Sequence, residues 1–232
     1  MRIGIDLGGT KIEGIALQDS GDIPVRKRVS TPQNDYHAIV NAVVSLVQDI
    51  ETEYREKGSV GIGIPGSVSA ETGLIRNANT VCLIGNDLQN DLQDKLDRPV
   101  RLANDADCFA LSEASDGAGK DCDSVFGVII GTGCGSGIVI NKKLLEGANL
   151  IAGEWGHNPL PWPKDSERPG RECYCGQSGC LETWLSGSGF GHAYHDAGGD
   201  EITAKDIMKR VSKGETLANQ VLNDYIDRMA RG

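Results

Sequence analysis

His157 is followed by Cys173, Cys175 and Cys180, within GEWGH (153–157) and CYCGQSGCLE (173–182). One imidazole and three thiolates make a complete tetrahedral zinc set. A metal whose four positions are all filled by protein is structural rather than catalytic. The C-x-C opening is less specific than C-x-x-C, and three unconnected thiols are the plain alternative. The other four cysteines, Cys82, Cys108, Cys122 and Cys134, are scattered and read as packing residues. Glu154 and Glu182 flank the ligand set. Carboxylates beside a folded metal loop can accept hydrogen bonds from polyol hydroxyls.

Two glycine-rich turns have a different chemistry. DLGGTK (6–11) and GTGCGSG (131–137) each follow an apolar stretch and combine Gly with Thr. Backbone N–H groups in such turns can converge on phosphate oxygens, and a Thr hydroxyl adds a donor. Either alone could be only a tight hairpin. In LANDAD (102–107), Asn104 and Asp105 stand where a strand passes into a helix, with Asp105 placed to cap it. A carboxylate there can also take a hydroxyl proton during phosphoryl transfer. Asp6, at the head of its turn, is a second candidate, facing Mg²⁺ through water. The familiar nucleotide motifs fail. No Gly-Lys-Ser/Thr closes a phosphate loop, and GIGIPG (61–66) contains Pro65 and is not followed by a helical pattern.

These residues need strands and helices to hold them. Apolar runs predict strands over 2–6, 11–17, 23–29, 59–64, 99–104, 124–130 and 137–141. Apolar residues at helical spacing predict helices over 36–57, 86–96 and 105–114, and again from about 181 to the end. The order is that of a mixed α/β fold. A second unit opens near Ser124 with the same strand, Gly-rich turn and strand as 3–17. GAGKDCD (117–123) marks a boundary between domains 1–118 and 119–232.

Composition excludes several classes. The 232 residues carry a net charge of −10, which argues against nucleic acid as a partner. No apolar run is long enough for a membrane helix. No basic n-region or cleavage site marks a leader, so the cytoplasm is the expected compartment.

DLGGTK, GIGIPG, LANDAD, GTGCGSG, GEWGH and CYCGQSGCLE, in this order, resemble the ROK family of sugar kinases from Met1 to about Tyr225. IIGTGCG and AGEWGHNPLPW look most like the bacterial fructokinases (manno/fructokinases) of that family, with N-acetylglucosamine kinases as the nearest alternative. The resemblance implies an actin-like, hexokinase-like (ribonuclease H-like) pair of α/β domains. It implies ATP- and Mg²⁺-dependent phosphorylation of a hexose, fructose first, and a homodimer. Asp6, Gly8, Gly9, Thr10 and Lys11, with Gly131, Thr132, Gly133 and Gly135, would hold ATP phosphates. Asp105 would be the general base. Gly66, Asn104, Asp105, Glu154, His157 and Glu182 would bind the sugar, His157 using one ring nitrogen for zinc and the other for a hydroxyl. Two departures stand out. Asp107 replaces the Asn usual in the family, and the chain stops at RMARG, where the family continues for several dozen residues, which implies a truncated second domain. Another class of reading is an inactive sugar-binding protein. A repressor would carry a DNA-binding helix-turn-helix ahead of the first Gly turn. A bare zinc module leaves the Gly turns and Asn104-Asp105 unexplained.

Overall fold

β1 (Arg2–Leu7) buries Ile3, Ile5 and Leu7 on one face, the alternation expected of a half-buried strand. It pairs antiparallel with β2 (Lys11–Leu17), which pairs with β3 (Val25–Ser30). α1 (Tyr36–Tyr54) covers that face with Ile39, Val43, Leu46, Val47 and Ile50, all buried. Asp35 caps its start by accepting from the Ala38 N–H. Arg55, in the left-handed region at φ 61°, stops it before the expected end at 57. The chain then enters β4 (Ser59–Ile64), which lies parallel to β1. β5 (Ser67–Val68) and β6 (Ile75–Arg76) form a small ribbon. α2 (Leu88–Leu96) leads to β7 (Val100–Asn104), parallel to β4, and α3 (Asp105–Ser115) follows directly. The sheet order is β3-β2-β1-β4-β7.

A second sheet has the order β10-β9-β8, from β8 (Ser124–Ile130), β9 (Cys134–Ile140) and β10 (Lys143–Leu144). β9 begins at Cys134 rather than 137, because Ile129 and Ile130 pair with Gly135 and Cys134. The Gly-rich turn is thereby only Gly131–Gly133. Four helices follow: α4 (Glu182–Leu185), α5 (Gly187–Asp196), α6 (Ala204–Ser212) and α7 (Thr216–Arg231).

This computed structural model describes residues 1–78 and 80–232. They form two compact units, Met1–Ser112 with Glu146–Ala152, and Glu113–Leu145 with Gly153–Gly232. The sequence led to a single cut at 118/119. Instead the stretch after Ser112 belongs to the second unit, where Gly119 N–H donates to Glu113 O at 2.9 Å and Lys142 Nζ to Ala114 O at 2.6 Å. Residues 146–152 return to the first unit, where the Arg76 guanidinium donates to Asn149 O. The first unit has one large apolar core. The second has two smaller ones, around Trp184 and Leu185 and around Phe190, Tyr194 and Ile207. Among the described residues no helix is long and apolar enough to cross a membrane.

α7 is pinned within the second unit by a buried ion cluster. Glu167, 3% exposed, accepts from Arg228 Nε at 2.8 Å and Arg231 Nη2 at 2.9 Å. These bonds, with the Lys164 N–H, outweigh burial and hold its carboxyl down at about 2, against 4.5 for a free group. A carboxylate with a depressed native pKa stabilises the fold above its unfolded value and loses that contribution as pH falls toward the native one. Glu167→Gln is therefore expected to lower the melting temperature at pH 7. The gap to wild type should close between about pH 4.5 and 2, measured by thermal melts across that range.

Candidate functional site

In the first unit, parallel pairing brings three strand ends to one edge. Asp6 lies opposite Gly63, and Ile64 opposite Asn104. The carboxyl ends of β1, β4 and β7 therefore present Asp6, the Pro65-Gly66 turn and Asn104-Asp105 together, the usual ligand edge of a parallel sheet. Asn104 Oδ1 accepts from Ala106 N at 2.9 Å and Asp107 N at 3.3 Å, so Asn104, not Asp105, is the principal cap of α3. The reason is positional: Asn104 ends a strand and can fold back over the first turn, whereas Asp105 is already helical. Asp105 Oδ1 also accepts from Ala106 N, at 2.8 Å. Asn104 Nδ2 donates to Gly66 O at 2.9 Å. Gly66 sits at φ +88°, and a Cβ there would lie 2.6 Å from Arg76 O, so no other residue fits this turn unstrained.

Asp105 opens to solvent on one side while protein crowds it from behind. Burial raises its pKa, the Asp6 carboxylate adds to the rise, and the Ala106 N–H opposes it. Burial and the neighbouring Glu13 likewise raise Asp6, against Lys11 and Arg28. Burial, with the charges of Asp107, Asp105 and Asp6, pushes the nearby Cys108 thiol up to about 11. The Gly8–Lys11 turn is braced from behind by residues the sequence did not single out. Thr31 Oγ1 donates to Gly8 O at 2.7 Å, Gln33 Nε2 to Gly9 O at 3.0 Å, and Thr31 N to Thr10 O at 3.0 Å. Thr80 Oγ1, buried without a partner among the described residues, stands 3.3 Å from where a Gly9 Cβ would be.

In the second unit, GEWGH runs against β9 at backbone distance. A Cβ on Gly153 would fall 2.1 Å from Ser136 O, and one on Gly156 2.2 Å from Cys134 O. Close packing explains both glycines and fixes where Glu154 and His157 stand. His157 Nδ1 is 3.5 Å from Cys173 Sγ, Cys175 Sγ is 3.6 Å from Cys180 Sγ, and the four ligand atoms lie within 4.8 Å of one another. A tetrahedral ion about 2.3 Å from sulfur and about 2.0 Å from nitrogen spaces its ligands by about 3.5–3.8 Å, so the donor set and its geometry fit zinc. Gly176 N–H bonds Cys173 O at 2.9 Å and closes the turn between the first two thiols and the third. The other ring nitrogen, Nε2, lies 3.0 Å from the hydroxyl of Tyr174, a contact the sequence did not foretell. That hydroxyl stands in the field of Glu182 and Glu154, and burial with those charges raises its pKa.

Of the turn beside β8, Gly131, Thr132 and Gly133 form the loop, and Gly135 lies within β9 opposite Ile129. Glu182 Oε2 accepts from Cys134 N at 2.9 Å. A cavity of about 780 Å³ opens beside Gly131 and Thr132, walled by Phe190, Ile202, Met208 and Leu222, with His192 and Lys205 at its polar parts.

The sequence pattern of the ROK family matches residues 2–232. The chain belongs to the ROK family. This ROK chain is 40% identical to the N-acetyl-D-glucosamine kinase of Aliivibrio salmonicida, over 99% of its own length and 78% of that protein's. Its fold matches the ROK hexokinase of Thermus thermophilus with a TM-score of 0.82 at 28% identity, covering 95% of this chain and 72% of that one. A Streptomyces griseus ROK glucokinase, solved with glucose and AMPPNP, matches with a TM-score of 0.76 at 27% identity, covering 95% and 73%. The actin-like, hexokinase-like α/β fold of the family is thus the fold of this chain.

Purified ROK chain is expected to carry about one zinc ion per chain by elemental analysis. Cys180→Ser should bring this well below one and lower the melting temperature, because metal affinity here is also folding energy.

Proposed function

We propose that this sugar kinase uses ATP to phosphorylate N-acetyl-D-glucosamine at its 6-hydroxyl. The observation that carries the choice of sugar is the 40% identity to an N-acetyl-D-glucosamine kinase across 99% of the chain. Details of the motifs had favoured fructose, but the relatives described above name other sugars. Glucose is the second reading, favoured by the S. griseus glucokinase solved with it.

The residues take the following roles. Asp105 accepts the proton of the attacking hydroxyl, and its raised pKa makes it a better base than an ordinary aspartate. Asn104 holds the start of α3 and the Gly66 turn, which fixes the Asp105 carboxyl in place. Glu154 and His157 bind sugar hydroxyls, with Tyr174 as the present partner of the His157 ring nitrogen. The Asp6–Lys11 and Gly131–Gly133 turns hold phosphate oxygens through backbone N–H groups. The cavity beside Gly131 has the volume and apolar walls for the nucleoside of ATP. Asp6 supplies the one carboxylate that a largely hydrated Mg²⁺ requires, and that ion would neutralise charge on the transferred phosphoryl group. His157, Cys173, Cys175 and Cys180 hold a structural zinc that fixes the His157 ring.

Sugar-dependent ADP release, run with N-acetylglucosamine, glucose, mannose, fructose and no sugar, tests the reading and ranks the acceptors. Turnover without sugar preference, or none at all by zinc-loaded folded chain, would sink it. Asp105→Asn is expected to lower kcat by about 10²–10⁴-fold and leave sugar affinity nearly unchanged in calorimetry. The pH dependence has a defined sign. The base acts deprotonated and its pKa is raised, so the acid limb of kcat/KM should fall above the range of a free aspartate near 3.8.

A further inference from the structure

Resting on the reading of His157 as a sugar ligand, we propose that Tyr174 sets the affinity of that site by competing with the sugar for His157. Its hydroxyl occupies the ring nitrogen that a sugar hydroxyl must take. His157 Nδ1 faces the cysteine cluster, 3.5 Å from Cys173 Sγ. A metal held at Nδ1 leaves the one hydrogen of the neutral ring on Nε2, so Nε2 is a donor. Its acceptor is the Tyr174 hydroxyl oxygen, at 3.0 Å. A single N–H cannot serve two acceptors at full strength, so sugar and tyrosine exclude each other at this atom. The same hydroxyl stands in the field of Glu182 and Glu154, the carboxylates that the sequence assigns to the sugar. Tyr174 thus puts a phenol where hydroxyls of a polyol belong.

The surroundings make Tyr174 an exchangeable occupant rather than a fixed brace. The residue is 74% exposed. Beyond the hydrogen bond, it meets His157 edge-on, with 5.1 Å between ring centroids and 89° between planes. The backbone beneath it is held by other bonds. Gly176 N–H donates to Cys173 O at 2.9 Å and Cys173 N–H to Gln177 O at 2.8 Å, and Cys173 and Cys175 on either side belong to the ligand cluster. The side chain can therefore turn to another staggered rotamer without opening the loop. His157 is placed without it too, by the close approach of Gly156 to Cys134 O and by the cluster at Nδ1. The Nε2 hydrogen is satisfied before and after the exchange, so a sugar gains only the difference between the two bonds.

The test compares wild type with Tyr174→Phe and Tyr174→Ala in the full chain. Calorimetry reads the affinity for N-acetylglucosamine and for glucose, steady-state turnover separates KM from kcat, and elemental analysis reads zinc. Tyr174→Phe keeps the ring and removes the hydroxyl, leaving His157 to water. It should bind sugar about 2–10-fold tighter, with kcat and zinc content unchanged. Tyr174→Ala removes the ring as well and should bind at least as tightly as Tyr174→Phe. Weaker sugar binding in either variant with zinc intact overturns the proposal and makes Tyr174 a sugar ligand. Weaker binding together with loss of zinc overturns it in favour of a brace for the metal-binding ring. Unchanged affinity also overturns it, while the kinase reading stands. A wild-type chain that binds neither sugar overturns both.

Discussion

The parallel register of β1, β4 and β7 is the constraint on which the first unit's chemistry depends. A parallel ladder aligns like ends, so residues far apart in sequence arrive at one edge without any contact between their own side chains. Asp6, Gly66 and Asn104-Asp105 are neighbours for that reason. A slip of one residue in either pairing would turn Asp6 or Asn104 to the opposite face and bury a polar group in place of Ile5 or Val100. The apolar face under α1 therefore fixes the polar edge as firmly as any hydrogen bond at the edge itself.

The second unit reaches its order differently. Its sheet is small and its cores are modest, and much of its geometry comes from main chain lying on main chain. Gly153 and Gly156 each stand where a methyl group would strike a backbone carbonyl, of Ser136 and Cys134. Contacts of this kind leave little slack. Hydrogen bonds also tie the β8–β9 turn to the start of α4, from Cys134 N to Glu182 and from Gly187 N to Gly131 O.

Much of this was legible in the sequence because the signals were local. Strand alternation in 2–7 and 11–17, the helical spacing of Ile39 to Ile50, and the His157–Cys180 spacing each depend on residues close in the chain. The ROK motifs carried the fold and the family. What stayed hidden depends on contacts across long separations. Thr31 and Gln33 brace a turn 23 and 24 residues away, and nothing in the TPQ stretch marks them. Tyr174 meets His157 only once the cysteine loop has folded back. The glycines of GEWGH carried no reading of their own in the sequence, yet Gly153 and Gly156 answer a packing need against β9. Asp105 was read as the cap because both it and Asn104 are good caps; only the end of β7 decides between them.

β8 has one further property. Among the described residues it pairs only with β9, leaving its other edge open, and its side chains are nearly all apolar, with Phe126 53% and Ile130 39% exposed. An open apolar strand edge is a template on which another strand can add. Opposing this is a charge of −10, which keeps copies apart while its field reaches between them. Salt shortens that reach to about 10 Å at 0.1 M. At high ionic strength that repulsion no longer opposes strand addition at β8 beyond this distance.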